Sequence, residues 1–151
     1  MGHKVNPFSW RLYNNKNWPA RWFGKNNFAN AISEDLQIRD AIAKKYNKAA
    51  GVKLVEIMRD HDSITINLHT SKPGVIIGRS GQGIVDLRAN LIKNVTSFRQ
   101  LPVNKQPKIR IEIIEIRNPE VHAQLIAESI AQQIEKRIMN KRAIKQAIDW
   151  A

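Results

Sequence analysis

The sequence holds no cysteine, so disulfides and thiolate metal sites play no part in its chemistry, and the chain suits a reducing compartment. Acidic residues are scarce: 13 Asp and Glu stand against 25 Lys and Arg in 151 residues, for a formal net charge of +12 and a pI near 10.3. So large a surplus on so short a chain points to a polyanionic partner, nucleic acid ahead of an anionic membrane. No apolar run approaches the ~20 residues of a membrane-spanning helix, and no basic amphipathic helix carries the aromatic anchors of a membrane-surface binder. The four histidines, His3, His61, His69 and His122, lack metal-ligand spacing. Serine is nearly missing from the first 33 residues, which argues against an organellar leader even though that stretch is basic and acid-free. Met1-Gly2 opens like a myristoylation site, but Asn6 stands where Ser or Thr is required.

What is present begins with a basic, aromatic arm, residues 1–32. Lys4, Arg11, Lys16, Arg21 and Lys25 precede the first acid, Glu34, and Phe8, Trp10, Tyr13, Trp18, Trp22, Phe23 and Phe28 are seven of the ten aromatics. Asn14, Asn15, Asn17, Asn26 and Asn27, with Pro7 and Pro19, speak for irregular structure. Cations interleaved with aromatics can neutralise phosphate and stack on bases. RNA contact is therefore expected of the arm, although any single tryptophan packs on the following domain at least as readily.

The hydrophobic fraction of 42% is enough for a packed core. A helix is expected over 33–50, with Ser33 as N-cap, Glu34 and Asp35 in its first turn, and Leu36, Ile42, Ala43, Tyr46 and Ala49 on its apolar face. Two strands follow: Val52 to Arg59, with Val55 and Ile57 inward, and Ser63 to His69, where Ile64, Ile66 and Leu68 alternate with polar residues. Asp60-His61-Asp62 reads as their turn, and His61, Asp62 and Ser63 do not form a catalytic triad, because sequence neighbours cannot face one another as nucleophile, base and orienter. Pro73 opens a short helix carrying Val75, Ile76 and Ile77. A longer helix from Gln82 to Phe98 spaces Ile84, Leu87, Leu91, Val95 and Phe98 helically. Pro102 and Pro107 bracket a loop, and a third strand runs from about Lys108 to Arg117. Asn118-Pro119 predicts a capped helix reaching Met139, with Ile126, Ile130, Ile134 and Ile138 as its buried stripe. Asn140 is either interior or the cap of a further helix bearing Lys141, Arg142 and Lys145.

Between the two central helices lies Gly78-Arg79-Ser80-Gly81. Glycine at both ends removes the β-carbons that would hold a nucleic-acid backbone away, and Arg79 adds charge between them. Gly78 and Gly83 also fit the glycine spacing of a nucleotide-binding P-loop, but Ile84 and Val85 replace its lysine and metal-binding hydroxyl, and the dinucleotide pattern is absent. Enzymatic phosphate chemistry is therefore not expected, nor is any cofactor. Helix, strand, strand, short helix, G-x-x-G, helix, strand is the order of an α+β type-two KH domain, an RNA-binding module. It is placed at 33–118, with a helical extension at 119–151.

Ordered blocks also resemble the bacterial and organellar family of small-subunit ribosomal protein three. They are Met1-Gly2-His3-Lys4-Val5-Asn6-Pro7, Arg11-Leu12, Trp22-Phe23, the run Pro73 to Gly78, Asp86-Leu87-Arg88, Ile114 to Glu120, Leu125 to Arg137, Met139 and Lys141 to Lys145. The resemblance implies a structural, non-enzymatic constituent of the small-subunit head. Its partners would be small-subunit rRNA, neighbouring ribosomal proteins, and mRNA at the channel through which it enters, with no membrane. It implies RNA-binding roles for Lys4, Arg11, Arg21, Trp22, Lys72, Gly78, Arg79, Ser80, Gly81, Arg88, Lys141, Arg142 and Lys145. Lys141 stands where bacterial members often carry arginine, which keeps the charge and loses the planar fork. The family's usual second α/β domain is not expected within this sequence. The expected location is the ribosome, in bacterial cytoplasm or, if organelle-encoded, the mitochondrial matrix. The alternative is a free-standing KH regulator or assembly factor that grips single-stranded RNA through Gly78 to Gly81.

Overall fold

Ile64, Ile66 and Leu68 lie on one side of their strand and are all essentially inaccessible; the two-residue period of a strand requires that common side. The sheet and its helices are built around them. The computed structural model describes residues 2–12, 14–23, 28–60, 63–99 and 108–150. In chain order these form α1 (Pro7–Arg11), β1 (Ala20–Arg21), α2 (Phe28–Ala50), β2 (Val52–Arg59) and β3 (Ser63–Thr70). Next come α3 (Pro73–Ile77), a 3-10 turn (Arg79–Gly81), α4 (Gln82–Arg99) and β4 (Lys108–Glu115). A second 3-10 turn (Pro119–Val121), α5 (Ala123–Glu135) and α6 (Asn140–Trp150) complete the chain. The strand order is β1-β2-β3-β4; β2 and β3 are antiparallel, and β1 on β2 and β4 on β3 are parallel.

Register aligns the apolar rows, with Ile66 opposite Ile57 on one side and Ile111 on the other. Helices cover them with Ile38, Ile42, Tyr46 and Ala50 from α2, Ile76 from α3, and Leu87, Leu91 and Val95 from α4. Thr70 donates its hydroxyl to the Ala50 carbonyl at 2.6 Å, tying the end of α2 to β3. The α+β order expected of a type-two KH domain is therefore present.

Several local expectations are corrected. Helix α2 begins at Phe28, so Ser33 is interior and donates its hydroxyl back to the Ala29 carbonyl instead of capping. The stripe facing the sheet is 38-42-46-50; Leu36, two residues and some 200° from Ile38, is 57% exposed, and Ala43 is exposed too. The arm is not wholly irregular, because Asn6 caps the single turn of α1 and Ala20-Arg21 adds an edge strand. Asn118 makes no side-chain cap, and Pro119 opens only a 3-10 turn before α5 starts at Ala123. Helix α5 ends at Glu135, followed by Arg137 at φ 62°, so it does not reach Met139. Its isoleucine stripe is not buried: Leu125 is the buried residue, and Ile134 is 43% exposed. Strand β4 closes at Glu115, two residues early. Tyr13, Lys25, Asn26, Asn27, the His61-Asp62 turn, the loop between Pro102 and Pro107, and the side chains of Ala49 and Phe98 lie outside the described residues.

Glu34 and Asp35, expected to sit at a helix terminus, are instead buried nearly two turns in, facing Arg59 of β2. Arg59 meets Glu34 at 2.6 Å through Nη1 and Asp35 at 2.7 Å through Nε, with side-chain exposures of 8% for Arg59 and 2% for Glu34. The Trp22 indole N–H takes the second Asp35 oxygen at 2.9 Å. Arg39 donates to the carbonyls of Val55 and Pro19, and the Ile57 amide also bonds Pro19 at 3.0 Å. Burial pulls the Arg39 guanidinium below its ordinary pKa, with Asp35 opposing. Arm, helix and strand are thus joined by one polar cluster. Replacing Arg59 with Met leaves two buried carboxylates without their cation and should cost about 3–5 kcal/mol. Urea unfolding measures this, and a loss under about 1 kcal/mol would mean the cluster is solvated.

Candidate nucleic-acid interface

Pro73 sets the first turn of α3, and the helix lasts five residues. It ends because Gly78 takes φ 70° and ψ −175°, a backbone region essentially reserved for glycine. The Gly78 amide closes onto the Gly74 carbonyl at 2.9 Å, so that donor is used within the turn. Ser80 follows in the left-handed region at φ 53°, and Gly81 sits at φ 77°. The chain then re-enters a helix at Gln82.

Gly83 is what allows this reversal. A β-carbon there would lie 2.4 Å from the Ile76 carbonyl oxygen and 2.9 Å from that of Ile77. The first turn of α4 therefore rests directly on the backbone of α3. Ile76 is driven into the core while Gly78, Arg79 and Ser80 remain exposed. Val75, Ile77 and Val85 flank the turn at 46%, 38% and 61% exposure and leave apolar surface beside it. Sequence spacing had marked Gly83 only as part of a failed P-loop pattern; the close approach was not visible there.

The other predicted residues fall on three separate pieces. Lys72 precedes α3 and Arg88 lies on α4, both exposed, so these two share the helix–turn–helix with Gly78 to Gly81. Lys4, Arg11 and Arg21 are exposed on the arm, where Arg11 also donates to the Pro7 carbonyl at the end of α1. Trp22 belongs to the polar cluster: its ring lies 5.4 Å from that of Phe28 and the Arg59 guanidinium stands 5.9 Å from its centre. Lys141, Arg142 and Lys145 are exposed on α6, which buries Ala143 and Ala147. Lys72 and Trp150 border a common cleft of about 220 Å³ over Leu125, which links the KH body to the last two helices. Spacing did not reveal Arg39 or Arg59 as structural cations, nor Lys16, whose ammonium stands 5.1 Å from the Phe8 ring centre.

Among the described residues no cluster of His, Cys, Asp or Glu is arranged to hold a metal, and no helix is long and apolar enough to cross a membrane. What the turn offers is exposed backbone, one mobile-length cation and a small hydroxyl.

Residues 37–121 match the KH domain family. Over its full length the chain is 44% identical to the small ribosomal subunit protein uS3 of Lawsonia intracellularis, covering 66% of that protein. It is 47% identical to uS3 of Clostridium botulinum strain Hall and 41% identical to uS3 of Clostridium novyi, covering 64% of each. The chain thus spans just under two thirds of the length of these curated relatives.

Gly83→Ala should destabilise the protein by about 1–3 kcal/mol, because the added methyl must push α4 off the backbone of α3. Thermal or urea unfolding reads the change; an unaltered midpoint would show that the two helices separate freely.

Proposed function

We propose, from the premise that this chain belongs to the KH domain family, that it is a non-enzymatic, rRNA-binding structural protein of the small ribosomal subunit head. The observation that carries this is a KH body with exposed cations on its arm, α4 and α6, in a chain that aligns over its full length with just under two thirds of uS3 proteins. Three units divide the labour: the arm (1–32), the KH body (33–118) and the helical extension (119–151). Lys4, Arg11 and Arg21 neutralise rRNA phosphates from the arm, while Trp22 holds the arm to the body. Arg79, Ser80 and the two glycines approach an RNA backbone, with Lys72 and Arg88 beside them. Lys141, Arg142 and Lys145 meet incoming mRNA, and neighbouring ribosomal proteins complete the surroundings. The location is the ribosome, in bacterial cytoplasm or the mitochondrial matrix.

The exposed Val75, Ile77 and Val85 favour one second reading, a free-standing KH clamp on single-stranded RNA. The two readings differ in how many phosphates are engaged. A clamp on ~3 phosphates gives a slope near −2 in log affinity against log salt, and arm plus helices on ~8 give about −6. In a salt-washed sucrose gradient the chain should co-migrate with the small subunit; migration at the top, free of ribosomes, would overturn the ribosomal role. Arg79→Asp with Ser80→Asp should leave that co-migration intact, since the arm and α6 cations remain. If the pair abolishes both incorporation and RNA binding, the turn is the principal anchor and the clamp reading replaces ours.

A further inference from the structure

The helices that cover the sheet part on their exposed side, leaving between α2 and α4 an open cleft of about 620 Å³. That volume lies within the range of ligand sites. The cleft exists because α2 presents Ala41 toward α4: a methyl stands where a longer side chain would fill the gap, and the buried Leu91 lies beneath. Leu87 and Leu91 are fully buried, so Ala41 is the apolar surface left open among the lining residues. The rim is polar, with exposed Lys44 and Lys45 on α2 and exposed Asn90 and Asn94, one turn apart, on α4. Neither lysine is ion-paired to a described residue; Lys45 rests 5.3 Å from the Tyr46 ring centre, within reach of the opening. Asp40 is the single carboxylate on the rim.

We propose that this cleft is a second RNA subsite, holding one nucleotide of a strand; the proposal rests on the RNA-binding reading above. Lys44 and Lys45 take oxygens of the phosphates on either side of that nucleotide, and the face of a base lies over Ala41. Asn90 and Asn94 offer carboxamides, each with donors and an acceptor, to its edge. Asp40, an acceptor only, receives the ribose 2′-hydroxyl, a group DNA lacks. The 2′-hydroxyl can donate to this carboxylate and a deoxyribose cannot, which is the basis of the RNA-over-DNA comparison in the test. The lining contains no residue of the Gly78–Gly81 turn, so the subsite is separate from it.

The test uses the full chain and transcripts of the small-subunit rRNA head carrying 4-thiouridine, photocrosslinked and mapped by mass spectrometry. Adducts are expected on the peptides holding Lys44–Lys45 and Asn90–Asn94, and they should persist in the Arg79→Asp, Ser80→Asp variant. Lys44→Gln with Lys45→Gln should weaken binding about tenfold and make the salt slope shallower by roughly 1.4, two single-strand phosphates at about 0.7 each. Asp40→Asn should narrow the preference of the wild-type chain for RNA over DNA of the same sequence. All the substituted side chains are exposed, so the fold is unaffected, as circular dichroism checks. Failure of the wild-type chain to bind any transcript overturns the RNA reading and this subsite with it. Normal RNA binding with no cleft adducts and an unchanged slope overturns the subsite alone. Loss of subunit incorporation with unchanged RNA affinity assigns the cleft to a protein neighbour and likewise overturns it.

Discussion

A helix backbone resting on another helix backbone is the constraint from which the rest follows. At Gly83 the first turn of α4 lies against the carbonyls of Ile76 and Ile77 with no room for a side chain. That contact fixes the angle at which the chain reverses after Gly78. It places Ile76 among Leu87, Leu91 and the isoleucines of the sheet. It also leaves only four residues to turn the chain, and three of them, Gly78, Ser80 and Gly81, adopt positive φ values outside the packed layer. An exposed, side-chain-poor stretch of backbone is the outcome, and that is the surface a phosphodiester can approach.

The second organising interaction is electrostatic. A buried guanidinium requires matched carboxylates, because leaving water costs each ion several kcal/mol. Arg59 finds both Glu34 and Asp35, and Asp35 in turn accepts from Trp22. Two of the chain's few acids are therefore consumed inside the structure and do not offset the surface charge. Lysines and arginines on the arm, α4 and α6 remain exposed.

The arm illustrates how the two combine. Its aromatics and cations gave no periodic signal, yet part of it is ordered: β1 pairs with β2, Arg39 and Ile57 hold Pro19, and Trp22 closes onto α2. Arg21 is thereby presented from a fixed edge of the sheet.

Composition pointed to a polyanionic partner, and periodicity was enough for the order of elements from α2 to β4. A surplus of cations with no cysteine or metal spacing points to nucleic acid, and alternation in Ser63 to His69 and the helical repeat from Gln82 define their elements through local geometry alone. The G-x-x-G turn was legible for the same reason, since glycine at a reversal reflects backbone sterics within four residues. Tertiary structure decided what depends on distant neighbours. Ile38, not Leu36, faces the core because the sheet selects one stripe of α2. Glu34 and Asp35 are buried because Arg59 lies 24 or 25 residues away in sequence and adjacent in space. Gly83 is essential to the turn because another helix passes there, and the cleft beside Ala41 exists because α4 crosses at that height. None of these has a local signature: each is set by which surfaces the packed layers bring into contact.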